Sequence, residues 1–158
     1  MTQGSSFHGP SLLAVAARCG LPAVAKLART PGMQGVFRVT IGYHDRRARD
    51  TVTTIWRSVV EVRLEIAFDG AIGKALQHPF DPDRFNTFAQ ALFGLGFDRL
   101  KDAPALPAPG KADVWLIERA AGSYAHGLLL SPGGAAGDYA RLVNAVRHGL
   151  PEALRQVQ

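Results

Sequence analysis

The chain of 158 residues contains one cysteine, Cys19, and no apolar run near the length of a membrane span. A single cysteine excludes an internal disulfide, so nothing here requires an oxidising compartment. A spanning helix needs about 20 apolar residues. The short apolar run Ser11–Ala17 has no basic segment before it and is followed by Arg18 rather than by a small residue, which disfavours a targeting signal. The sequence therefore predicts a cytoplasmic protein with no membrane association.

Recognisable cofactor and metal motifs are also missing. His78, Asp81 and Asp83 could suggest metal ligands, but the two aspartates are better explained as the cap and first turn of a helix. The glycine-rich stretch from Ser131 to Asp138 lacks the Lys-Ser/Thr pair of a phosphate-binding loop and the spacing of a dinucleotide fingerprint. We expect no metal and no cofactor.

Acidic residues are scarce in the first third of the chain. Residues 1–50 carry seven Arg and Lys against only Asp45 and Asp50, whereas residues 51–158 carry 11 basic and 11 acidic side chains. This imbalance suggests a site for nucleic acid or another polyanion, with these candidate binding residues: Arg38, Arg46, Arg47 and Arg49. The simpler explanation of the positive charge is overall composition, since 14 Arg against 4 Lys is typical of a GC-rich bacterial genome.

The most informative stretch is Thr51–Phe68, in which apolar and polar residues alternate with period two and β-branched residues are dense. This pattern predicts a strand with one apolar face. Eighteen residues would extend about 60 Å, which is far longer than an ordinary strand. We therefore expect a bend, bulge or split near Arg57–Val60, or an end that projects to pair with another chain. Asp69-Gly70 then predicts a hairpin turn.

Two amphipathic helices follow from apolar positions at helical spacing. The first is predicted between Pro79 and Gly96, with Asp81 as its cap, and its apolar stripe consists of Phe85, Phe88, Ala89, Leu92 and Phe93. The second covers residues 138–148. Ser11–Arg18 predicts a shorter helix, and Pro22–Arg29 is ambiguous between helix and strand.

These elements predict an α+β fold, because strand pairs at 36–77 and 112–131 each precede a helix. Sequential hairpins indicate a mostly antiparallel sheet. We expect a two-layer sandwich with the two amphipathic helices on one face. Residues 1–10 are predicted to be a flexible terminus and residues 11–158 a single domain.

The best candidate for chemistry is the second hairpin, where Glu118, Arg119, Ser123, Tyr124 and His126 lie close to a turn. Pairing Arg119 with Tyr124 would put Glu118 on the opposite face from His126, whereas a shift of one residue would put Glu118 opposite Tyr124. In both registers Tyr124 and His126 share a face. A glutamate that orients a histidine could act as a general base, so the weak catalytic candidates are Glu118, Tyr124 and His126.

No nucleophile accompanies these residues, and a polar hairpin face is the simpler interpretation. The sequence therefore favours a protein that acts by protein–protein interaction without catalysis, with a homodimer through the long strand as one form of it. The alternatives are a polyanion binder that uses the basic first third and an enzyme that uses the second hairpin.

Overall fold

The computed structural model describes residues 3–45, 47–70, 75–108 and 110–154, and their side chains from Gly9 on. The helices are α1 (Gln3–Arg18), α2 (Val24–Ala28), α3 (Pro82–Gly94) and α4 (Asp138–Gly149). The strands are β1 (Met33–Gly42), β2 (Thr51–Ser58), β3 (Val62–Phe68), β4 (Leu76–Pro79), β5 (Val114–Ala121) and β6 (Tyr124–Leu130).

The six strands form one sheet in the order β4-β3-β2-β1-β5-β6, and every neighbouring pair is antiparallel. The β1–β5 pairing joins the two halves of the chain, with Arg38 opposite Glu118. The prediction of an α+β fold with an antiparallel sheet is confirmed. The edges of the sheet are β4 and β6.

The stretch Thr51–Phe68 is two strands, β2 and β3, joined by a tight turn at residues 59–60. The Ser58 hydroxyl closes the turn by accepting hydrogen bonds from the backbone N–H groups of Val60 at 3.2 Å and Glu61 at 3.1 Å. The predicted split near Arg57–Val60 is thus confirmed. Both strands lie between two other strands of the sheet, so the stretch does not project from the sheet as an unpaired strand. The homodimer itself stays a prediction.

Helices cover both faces of the sheet. The helices α3 and α4 pack on the face that carries Phe37, Ile55 and Ile117, and together they form the main core. The opposite face is covered by α1, through Leu12 and Val15, and by α2. The predicted two-layer arrangement is therefore not confirmed, because α1 and α2 pack on the second face of the sheet.

Several local predictions can be compared directly with the structure. Asp81 caps α3 as predicted, accepting a hydrogen bond from the backbone N–H of Asp83 at 2.9 Å. The helix α1 begins at Gln3 rather than at Ser11. Asp69 and Gly70 form a turn directly after β3, with Gly70 at φ +75°. Ile66 pairs with Leu76, so the connection to β4 is longer than the predicted two-residue hairpin turn. The start of the predicted return strand, residues 71–74, lies outside the described residues. No helix in the described ranges has both the length and the apolarity to cross a membrane.

Candidate binding surface at the β5–β6 hairpin

The register of the second hairpin decides which of its side chains meet. Arg119 lies opposite His126, Ala121 opposite Tyr124, and Glu118 opposite Gly127. Both predicted registers are wrong, because the turn consists of only two residues. Gly122, at its first position, has φ +57°, the conformation that a type II′ hairpin turn requires there. Tyr124 and His126 do share a face, as predicted from their spacing.

Arg119 is the centre of this face. Its guanidinium donates to both carboxylate oxygens of Asp98, from Nε at 3.0 Å and from Nη2 at 2.8 Å. The same group lies 5.2 Å from the ring centre of Phe93 and 5.0 Å from that of Tyr124. A bidentate ion pair and two cation–π contacts fix the orientation of one side chain. These contacts also lower the pKa of the Asp98 carboxyl, chiefly through the hydrogen bonds from Arg119.

The two rings beside Arg119 are exposed to solvent. Phe93 is 65% exposed and Tyr124 is 40% exposed. The prediction that Phe93 belongs to the apolar stripe of α3 is wrong, since it follows the buried Leu92 by 100° around the helix. The result is an aromatic surface, with an ion-paired arginine between its rings, where the end of α3 meets the hairpin. We call Phe93, Asp98, Arg119, Tyr124 and His126 the hairpin surface.

His126 forms the inner part of the hairpin surface. Its ring packs edge-on against Phe97, with the ring centres 5.4 Å apart, and its Nε2 is 2.7 Å from the backbone oxygen of Leu100. A pocket of about 170 Å³ beside it is lined by residues that include Phe93, Asp98 and Arg119, but neither Tyr124 nor His126 lines it. The side chains of Tyr124 and His126 therefore pack beside this pocket and do not line its interior.

Glu118 lies on the other face of the sheet, beside Gly127 and opposite Arg38. The structure therefore does not bring Glu118 and His126 together. Burial raises the pKa of the Glu118 carboxyl, while the charge of Arg38 acts in the opposite direction. Glu118 and His126 lie on opposite faces of the sheet, so Glu118 does not orient His126 as a general base.

The predicted basic residues that the structure describes are buried or have local partners. Arg38 is 1% exposed, so it contributes nothing to a surface patch. Arg47 is paired with Asp45 at 3.0 Å, and the hydrogen bonds from Arg47 lower the pKa of Asp45 to about 2. Arg49 donates to the backbone oxygen of Asp69 at 3.4 Å. Arg46 lies outside the described residues.

The described residues also contain no group of three or more His, Cys, Asp or Glu side chains arranged to hold a metal ion. His78 lies on β4, and Asp81 caps α3.

Comparison with known proteins adds no relationship, because no protein-family model and no curated protein matches the chain.

Sequence reasoning missed the partners of Arg119. Asp98 lies in the 3₁₀ turn Phe97–Arg99, and Phe93 lies near the end of α3, so both reach the hairpin only through tertiary packing. The only local signal was Phe93 itself, a large apolar residue at the margin of an otherwise complete helical stripe.

Proposed function

We propose that this protein acts by protein–protein interaction without catalysis and that the hairpin surface is its binding site. The observation that carries the proposal is the position of Arg119 between two exposed aromatic rings. Tyrosine, tryptophan and arginine dominate the binding energy of protein interfaces, because they offer large contact areas with one polar group each.

The geometry supports binding because the arginine is already ordered. The two hydrogen bonds that the guanidinium donates to Asp98, together with the two neighbouring rings, hold it in one orientation. When a partner covers Arg119, ordering this side chain therefore costs little further conformational entropy. Covering Phe93 and Tyr124 removes apolar area from water, worth roughly 25 cal/mol for each Å² buried.

A polyanion is a weaker candidate for the same surface, because Asp98 offsets the charge of Arg119. The polyanion site in the first third and the enzyme based on the second hairpin stay predictions. Arg38 is buried and Glu118 faces away from His126, which leaves each of these alternatives with one candidate fewer.

Site-specific photo-crosslinking tests the proposal. A benzoyl-phenylalanine at position 93 is expected to give discrete adducts in cells that naturally produce the protein. The matched control is the same probe at Asp83, which is also exposed and lies in the first turn of α3, about 15 Å away along the helix. Adducts at 93 that are missing at 83 support the proposal, while no adduct at 93, or identical adducts at both positions, contradicts it.

A further inference from the structure

Among the described residues, only the C-terminal half of the outer edge of β6 has hydrogen-bond partners. At Leu129 the edge is occupied, because the backbone N–H donates to the Asp102 carboxylate at 2.9 Å and the backbone oxygen accepts from the Ala103 N–H at 2.8 Å. Backbone groups on a strand alternate between its two sides. The N–H and C=O groups of Gly127 and Ala125 therefore point outward as well, at exposed positions nearer the turn.

The sequence of this edge lacks the usual protection against strand pairing. Native edges are commonly blocked by proline, by charged side chains or by very short strands. The other edge, β4, has four residues and ends at Pro79. In contrast, residues 123–131 contain no proline and no Asp, Glu, Lys or Arg. The hairpin surface lies beside this edge, since Tyr124 and His126 belong to the same strand.

We propose that β6 pairs antiparallel with β6 of a second copy of this chain, around a two-fold axis at Ala125. The inference rests on the proposed function and names its partner. Pairing across such an axis places equivalent residues opposite one another. A charged residue on the edge would meet its own copy, so an edge without charges suits self-pairing.

The register is limited by the part of the edge that is already occupied. With the axis at Ala125, the second copy's turn lies opposite residues 127–128, clear of Asp102 and Ala103. The two Ala125 residues then exchange a pair of backbone hydrogen bonds. Each Tyr124 becomes the cross-strand neighbour of His126 of the second copy, within about 4.5–5.5 Å between Cβ atoms. The two hairpin surfaces are thereby brought together.

Sedimentation equilibrium between 5 and 500 µM, at neutral pH and about 0.15 M salt, tests the pairing. The wild-type chain is expected to show a reversible monomer–dimer equilibrium. Ala125→Pro removes an outward N–H, so we expect association to weaken at least ten-fold. Ala125→Lys serves the same purpose if circular dichroism shows that the proline variant does not fold. His78→Lys, on the opposite edge strand, is the matched control and should leave the equilibrium unchanged.

Hydrogen exchange identifies the contact itself. The amide of Ala125 should exchange at least ten-fold more slowly at 500 µM than at 5 µM, with no change at Gln77 on β4. A wild-type chain that stays monomeric at 500 µM overturns the inference, as does a dimer that persists in both Ala125 variants or leaves the Ala125 amide unprotected. If the chain is monomeric but position 93 still crosslinks to another protein, only the second copy is wrong; if neither occurs, the proposed function fails too.

Discussion

At the scale of single residues, Arg38 shows how the structure accommodates a charge in its interior. Its Nε donates to Thr54 Oγ1 at 2.9 Å, and its Nη1 donates to the backbone oxygen of Pro22 at 2.8 Å. Glu118 lies opposite on β5. Burial lowers the pKa of the guanidinium, and the charge of Glu118 opposes that effect. Arg38 therefore links the connection between α1 and α2 to the middle of the sheet.

Arg38→Met should lower the free energy of unfolding by about 3 kcal/mol, because it removes the buried hydrogen bonds to Thr54 and Pro22 and the positive charge that acts on the Glu118 carboxylate. Adding Glu118→Gln should recover part of that loss, since the uncompensated charge is then gone. Urea denaturation of the single and double variants measures both effects. The control is Arg47→Ala, at a side chain that is 92% exposed, for which we expect a change within about 0.5 kcal/mol. If Arg38→Met lowers the free energy of unfolding by no more than Arg47→Ala does, this account is contradicted.

At the scale of elements, the packing of α3 against α4 depends on a close approach at Gly149. A Cβ at this position would lie 2.8 Å from Cδ1 of Phe88, a side chain that is 1% exposed in the main core. Gly94, at the end of α3, has no neighbouring atom within 4 Å of the equivalent point. The two helical glycines therefore provide a matched comparison.

Gly94→Ala should raise the free energy of unfolding by about 0.5–1 kcal/mol, because alanine restricts the unfolded chain and favours the helix. Gly149→Ala should lower it by about 1–3 kcal/mol, since the added methyl group overpacks the core. Thermal and urea unfolding of both variants measure the two signs. The same sign for both substitutions would mean that the glycine at 149 is not required by the packing with Phe88.

The strands show what local patterns can and cannot predict. The alternation from Val52 to Phe68 correctly indicated strands, and excessive length correctly indicated a break. However, the turn at residues 59–60 reverses the chain, so the even-numbered residues change faces: Val52 packs beneath α1, and Leu64 packs in the main core. A period-two pattern continues unchanged through a two-residue turn, so the sequence could not reveal this exchange of faces.

At the scale of the whole molecule, the candidate site could be predicted only in part. The second hairpin, with Tyr124 and His126 on one face, was visible in the sequence because both residues lie on one strand. The roles of Asp98 and Phe93 depend on how the end of α3 packs against that hairpin, which no local pattern records. The count of charges was misleading for a related reason: Arg38 contributes to the basic first third but is buried, with its Nη1 bound to the Pro22 backbone oxygen.

The central claim is that the hairpin surface is covered by protein when the molecule functions. Hydroxyl-radical footprinting in extracts of cells that naturally produce the protein, compared with the purified chain at 1 µM, tests it most directly. Phe93 and Tyr124 should be oxidised at least three-fold more slowly in the extract. Val60, which is 84% exposed at the β2–β3 turn, should react equally in both. Equal oxidation of Phe93 and Tyr124 in the two samples would contradict the claim.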